Sequence, residues 1–289
     1  MISVIFILSD GRRLGYAEFG DPHGQPIFFF HGQPGNRFFR HPDDAIASSL
    51  GIRLITFDRP GYGLSDFQPR RRLLDWPKDV SELADAIGID RFAVLGFSAG
   101  GPYAAACAWK IPQRITRVGL VDSAPPMYLP EINRGAPPPL RLNYALARHA
   151  PLMLRLMFRS FWRFSQRNEQ AFINMALQQA PQADRDVLSQ PETYAILLDT
   201  WKENLRVSSR GYVQDVEILM QDWGFRLRDI QVEVHLWQGE ADVNTPPAWA
   251  RYMAREIPGC KATFFPTEGH FALFNHWREI LQVLTGPGN

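Results

Sequence analysis

Cysteine is scarce in this chain of 289 residues: Cys107 and Cys260 are the only two. They make neither the dense, even framework of a disulfide-stapled secreted domain nor the paired spacing of a zinc site, so both read as buried thiols in a reducing compartment. An excess of one charge is also missing, because 31 Lys and Arg stand against 30 Asp and Glu, for a formal net charge of +1. Such a balance creates no overall field to gather nucleic acid or an anionic membrane surface. No apolar run approaches the ~18 residues a membrane-spanning helix needs. Residues 1–8 are apolar but have no basic residues before them and no small-residue cleavage site after them, so a secretion signal is not expected and a cytoplasmic location is. Internal repeats and low-complexity segments are absent too.

What is present is an ordinary globular composition, 45% hydrophobic and 21% charged, long enough for one large core or for a core with an inserted unit. Residues 2–8 and 13–19 are β-rich runs separated by Asp10-Gly11, a pair that favours a tight turn because glycine accepts positive φ, and they predict an antiparallel pair. Residues 26–30 and 53–57 are short, continuous apolar runs, the pattern of strands covered on both faces of a parallel sheet. The alternation continues with a helix over 73–87, a strand over 92–95, a helix over 99–110 and a strand over 115–121, which predicts a doubly wound sheet. It stops after Val121, where a proline-rich connection over 125–139 leads into long helical patterns reaching to about Arg210. Strand patterns resume at 232–237 and 262–265, with helices near 249–256 and over 271–284. The interruption reads as a helical lid set into a sheet domain, dividing the chain into core (1–122), lid (123–214) and core (215–289).

The strongest local signal is Gly96-Phe97-Ser98-Ala99-Gly100-Gly101, at the junction of a predicted strand and helix. A sharp turn there forces its central residue into a strained conformation and leaves no room for neighbouring Cβ atoms, so the flanking glycines fit a turn that presents the Ser98 hydroxyl as a nucleophile. Serine attacks only if a base takes its proton and a third group orients that base. With the order serine, acid, histidine, each partner should follow a later strand. Asp242 follows 232–237 and His270 follows 262–265. His276 falls in the predicted last helix, His149 in the lid, His235 in a strand, and His23 and His41 in early loops, which leaves His270 as the base. Asp122, at the end of 115–121, is an alternative acid, and Glu240 and Glu268 are weaker alternatives that read as solvated. An oxyanion needs donors: the backbone N–H of Ala99 supplies one, and the loop His31-Gly32-Gln33-Pro34-Gly35 should supply the other through Gln33, since Pro34 has no N–H. His31 reads as a brace for that loop.

Four motifs together resemble the α/β-hydrolase superfamily, in its lid-bearing esterase-like branch: the loop at His31–Gly35, Asp58-Arg59-Pro60-Gly61-Tyr62-Gly63-Leu64-Ser65, the turn around Ser98, and the pair Asp242 and His270. The resemblance spans nearly the whole chain except the lid. It implies an α/β-hydrolase fold, a doubly wound, mostly parallel eight-stranded sheet with an inserted helical lid, and a structural role for the turn at Asp58–Ser65. It also narrows the chemistry. Epoxide hydrolases and haloalkane dehalogenases of this fold use an aspartate nucleophile, where this chain has Ser98. Proline iminopeptidases usually carry Trp after the nucleophile and acidic lid residues, where this chain has Ala99 and an arginine-rich lid.

In the lid, Arg155, Arg159, Arg163 and Arg167 recur every fourth residue along one helix face, which reads as a solvated face, with reception of an anionic substrate as the alternative. Met153, Met157, Phe158, Phe161, Trp162 and Phe164 on the same segment read as lid packing, with some of them roofing a pocket for a hydrophobic acyl or ring-containing substrate. The expected activity is carboxylesterase-like hydrolysis of a small ester, thioester or lactone through an acyl-enzyme, needing no metal or organic cofactor. Carbon-carbon bond hydrolysis or aminopeptidase activity on the same fold, and a non-catalytic ligand-binding homologue, are the alternatives. A small molecule is the expected partner, with no nucleic acid and no membrane, and the sequence is compatible with a homodimer.

Overall fold

A computed structural model describes residues 2–286. Strands β1 (Ile2–Ile7) and β2 (Arg13–Gly20) form the expected hairpin, with Gly11 at φ +85° in its turn. After β3 (Gln25–Phe30), helix α1 (Asp44–Ser49) leads to β4 (Ile52–Phe57), α2 (Trp76–Ala86), β5 (Phe92–Phe97), α3 (Gly101–Lys110) and β6 (Ile115–Val121). Past a long helical insertion come β7 (Val234–Gly239), α11 (Pro247–Glu256), β8 (Lys261–Phe265) and two closing helices, α12 (Ala272–Asn275) and α13 (Trp277–Thr285). The eight strands lie in the order β1-β2-β4-β3-β5-β6-β7-β8, antiparallel at β1–β2 and β2–β4 and parallel thereafter. This is the doubly wound, mostly parallel sheet anticipated from the alternation of elements.

Alternate residues of the buried strands serve opposite faces, as a period of two demands. Phe28 and Phe30 of β3 pack with Phe57, Trp76, Val80 and Tyr103 on one side. Ile27 and Phe29 pack on the other with Leu54, Leu95, Trp277 and Ile280. Phe28 stacks on Phe92 with ring centroids 4.1 Å apart. Two layers of helix on a continuous apolar sheet explain why those strands read as unbroken hydrophobic runs.

The insertion between β6 and β7 comprises α4 (Pro130–Arg134), α5 (Pro138–His149), α6 (Pro151–Arg167), α7 (Glu169–Gln179), α8 (Gln182–Leu188), α9 (Pro191–Arg206) and α10 (Arg210–Leu219). The helical pattern thus runs on to Leu219, and the sequence-based division at 214/215 falls inside α10. The predicted last helix is broken at His276, which lies between α12 and α13 and stacks on Phe265 at 3.5 Å between centroids. Cys107 is buried as expected, whereas Cys260 is only half-buried; both are free thiols, and burial pushes the Cys260 thiol up to about 11.

A buried ionic hub fastens the insertion to the sheet domain. Asp215 of α10 accepts hydrogen bonds on Oδ2 from Arg59 Nη2 at 2.8 Å and Tyr62 Oη at 2.9 Å, and on Oδ1 from Tyr103 Oη at 2.7 Å and from Arg71. Burial alone would favour the neutral acid, but the guanidinium groups of Arg59 and Arg71 override it and bring its pKa down to about 2. Arg59 reaches further, donating to the carbonyls of His31 and Gly32, so the same cluster holds the loop after β3. Asp215→Ala strands two buried guanidinium groups. It is expected to lower unfolding free energy by about 3–5 kcal/mol in urea titrations; a loss under about 1 kcal/mol would show that the hub does not anchor the insertion.

Candidate active site

Residues 96–101 make the sharp turn that the sequence predicts. Strand β5 ends at Phe97, one turn of 3-10 helix covers Ser98–Gly100, and α3 follows. Ser98 has φ +53°, in the left-handed region that a side chain rarely adopts. The turn tolerates nothing larger at its flanks: a Cβ on Gly96 would lie 2.6 Å from the Gly100 carbonyl oxygen, and one on Gly100 would lie 2.0 Å from that of Phe30. The strain at Ser98 is therefore held by close backbone contact between β5, α3 and the end of β3.

Three side chains distant in sequence meet above this turn. Ser98 Oγ lies 3.1 Å from His270 Nε2, and His270 Nδ1 lies 2.8 Å from Asp242 Oδ2. Asp242 sits in the loop after β7 and His270 in the loop after β8, at the C-terminal edge of the parallel strands. Asp242 is fixed by its own loop, where Oδ1 accepts the backbone N–H groups of Asn244 at 2.7 Å and Thr245 at 2.9 Å, an Asx turn. Oδ2 also accepts Thr245 Oγ1 at 2.5 Å. Burial opposes a charge on either residue, yet each charge is favoured by the other. His270 is raised to about 9 by Asp242, and Asp242 is lowered by His270 and Thr245.

Asp122 occupies a different position. Its Oδ1 accepts the Gly239 N–H at 2.9 Å, its Oδ2 is buried without a hydrogen-bond partner, and its backbone is left-handed at φ +44°. Burial, reinforced by the nearby Asp242, pushes its carboxyl well above the usual range. Of the acids considered from sequence, the structure brings Asp242 to the imidazole and commits Asp122 to the start of the β7 loop. Glu240 and Glu268 are not simply solvated: Glu240 pairs with Arg251 at 2.5 Å, and Glu268 accepts Asn275 Nδ2 at 2.8 Å.

The loop after β3 packs directly on the turn, since a Cβ on Gly32 would lie 3.2 Å from Ser98 Cβ. His31 braces it, with Nδ1 2.7 Å from the Gly32 carbonyl, and burial keeps its imidazole neutral by pulling its pKa well down. Gln33 is held by its side chain, whose Nε2 donates to the Tyr212 carbonyl of α10 at 2.6 Å. Gln33, Ser98, Ala99 and His270 line one cavity of about 860 Å³. Most of its wall is apolar and comes from the insertion, including Leu140, Phe158, Phe161, Trp162, Leu197 and Val216. Met153, Met157 and Phe164 take no part in that roof and are exposed. The turn at Asp58–Ser65 is structural, as implied: Asp58 accepts the N–H groups of Arg37 and Leu64, both at 2.8 Å, and burial raises its pKa to about 6.

Sequence reasoning missed two residues here. Thr245 bridges Asp242 and His270; the run Asp242-Val243-Asn244-Thr245 carries the signature of an Asx turn and could have pointed to it. Asp184 of α8 is buried on the cavity wall, where Oδ1 accepts the Phe271 N–H at 3.1 Å and Oδ2 has no hydrogen-bond partner. A Cβ on Gly269 would lie 2.2 Å from that carboxylate, so the glycine beside His270 makes room for a residue of the insertion. Nothing in the local sequence of α8 announces this contact.

Residues 25–276 match the family model described as the alpha/beta hydrolase fold. Among curated proteins, a proline iminopeptidase of Xylella fastidiosa (strain 9a5c) is 34% identical over 127 residues, 40% of this chain; the match spans only 38% of that protein's length. A pimeloyl-[acyl-carrier protein] methyl ester esterase of Legionella pneumophila (strain Lens) is 24% identical over 89% of this chain and 92% of its own. Among solved structures, the enol-lactonase from Burkholderia xenovorans LB400 superposes with a TM-score of 0.72 at 20% identity, covering 98% of this chain and all of that one.

An NMR titration of the His270 imidazole is expected to have its midpoint at about 9. Asp242→Asn should bring it below the ordinary ~6.5, because burial remains after the opposing carboxylate has gone. Asp122→Asn should leave it raised. The reverse order of effects would hand the orienting role to Asp122.

Proposed function

The chain belongs to the alpha/beta hydrolase fold family, and we propose that it is a serine hydrolase cleaving small hydrophobic esters, thioesters or lactones through an acyl-enzyme. The observation that carries this reading is the unbroken line from Ser98 Oγ through His270 to Asp242, at 3.1 and 2.8 Å, opening onto an apolar cavity.

His270 Nε2 takes the Ser98 proton as Oγ bonds to the substrate carbonyl carbon. The charge that develops on the carbonyl oxygen is met by the backbone N–H groups of Ala99 and Gln33, each donor stabilising the transition state by roughly 3 kcal/mol. Collapse breaks the bond to the alcohol or thiol, which leaves with the proton from the imidazolium. Water then gives a proton to His270 as it attacks the acyl carbon, and the imidazolium returns that proton to Ser98 Oγ as the bond to serine breaks and the acid is released. Asp242 stays ionised throughout, holding Nδ1–H and favouring the imidazolium. No step calls on a metal or an organic cofactor. The insertion acts as the lid, since its apolar side chains exclude water from the reacting groups and fill the space a hydrocarbon acyl chain would take.

Asp184 favours a second reading, in which the substrate bears an amine. Its unpartnered Oδ2 on the cavity wall could accept an ammonium group, in line with the partial match to a proline iminopeptidase. Amino-acyl esters turned over in preference to neutral esters of equal size, with the preference lost in Asp184→Asn, would select it.

Turnover of p-nitrophenyl butyrate is expected in the wild type, with kcat reduced at least ~10³-fold in Ser98→Ala and in His270→Ala. Equal rates in wild type and Ser98→Ala would overturn the assignment. The base must be neutral to act. With the His270 pKa raised to about 9, kcat/KM should climb from pH 7 toward pH 9 and level off above it; a plateau already reached at pH 6 would contradict that.

A further inference from the structure

A second cavity, of about 950 Å³, opens on the other side of α6 and has a strong charge imbalance. Seven arginines line it against a single acid, Glu217. Two of the seven are matched within the protein: Arg71 by the buried Asp215, and Arg155 by Glu217 at 2.9 Å. The other five, Arg70, Arg72, Arg159, Arg163 and Arg210, make no ion pair among the described residues. Arg210 lies over the Phe67 ring at 4.0 Å, which holds its guanidinium against the cavity lining without neutralising it.

A solvated helix face accounts poorly for this arrangement. The charges come from three separate stretches of chain, the loop at 70–72, the face of α6 and the start of α10, and they converge on a concavity. On α6 the spacing of four places like charges about 6 Å apart at Cβ, which works against the helix. Arg70 is held at φ +56°, a conformation a non-glycine side chain rarely keeps. Apolar side chains share the lining with the guanidinium groups, among them Phe67, Trp162, Val213 and Ile218. Trp162 also lines the cavity at Ser98, so the two cavities share a wall. Arginine presents a planar fork of donors suited to the oxygens of phosphate, and a concave site of this size suits a compact ligand rather than a flat macromolecular surface.

We propose that this cavity is a binding site for an organic phosphate or polyphosphate of small size, with the anionic head on Arg70, Arg72, Arg159, Arg163 and Arg210 and an apolar body on Phe67 and Trp162. The site is independent of the chemistry at Ser98. Inorganic tripolyphosphate, the head group without a body, is the probe. Isothermal titration of the full chain at low ionic strength should give saturable, one-to-one binding that weakens as salt rises. The double variant Arg159→Glu/Arg163→Glu should weaken it at least tenfold. Arg167→Glu changes the same kind of charge on the same helix outside the cavity; compared at about 0.15 M salt, where the screening length falls to ~8 Å, it should cost clearly less affinity than the cavity variants do. Arg70→Asn, in the loop at 70–72 and tolerant of the left-handed conformation, should also weaken binding, which keeps the test open should the α6 variant not fold. Absence of saturable binding, or a loss in Arg167→Glu equal to that in the cavity variants, would overturn the proposal.

Discussion

The turn at Ser98 is the constraint on which the rest of the site depends. Its left-handed backbone exists only because β5, α3 and the end of β3 come so close that Gly96 and Gly100 leave no space for a Cβ. That approach puts the hydroxyl at the edge of the sheet where the loops after β7 and β8 also arrive, and it lays the loop after β3 against the same residue. A side chain at either glycine would push these three segments apart, and a relaxed φ at Ser98 would turn Oγ away from His270. The strain of roughly 1–3 kcal/mol that such a conformation stores is offset by two aromatic-rich cores on the faces of the sheet.

Three buried carboxylates around His270 have different environments and so different parts to play. Asp242 receives two backbone N–H groups, a hydroxyl and the imidazole, and stays charged. Asp122 receives one N–H and lies beside Asp242, so burial and repulsion push its pKa well above the usual carboxylate range. Asp184 reaches in from the insertion and ties it to the backbone next to the imidazole. A fourth, Asp215, sits between two guanidinium groups and couples the insertion to the loop after β3. The insertion is thus fastened to the sheet domain at the histidine loop and at the loop bearing Gln33, and a change in its packing would be felt by both.

Much of this was legible in the sequence, for reasons particular to the residues. The strands read clearly because both their faces are covered, which makes the run at Ile27–Phe30 continuously apolar and leaves only Arg53 and Thr56 polar in β4. The turn at Ser98 read clearly because its steric demand allows only glycine on either side. Asp242 and His270 could be placed because each follows a strand by a few residues. The rest depends on contacts that local periodicity does not encode. Thr245 and Asp184 matter through where their loops and helices fold back. The spacing of Arg155, Arg159 and Arg163 shows a shared helix face but not that the face closes a cavity with Arg70 and Arg72. The break at His276 was hidden because the apolar pattern of α12 and α13 continues across it.

The central claim, that Ser98 is a nucleophile activated by the line through His270 to Asp242, is met most directly by covalent trapping. Folded protein treated with an alkyl fluorophosphonate and analysed by intact mass and peptide mapping should acquire one adduct per chain, on the peptide carrying Ser98. Well-folded protein that takes up no adduct, or takes it up at another residue, would contradict the account.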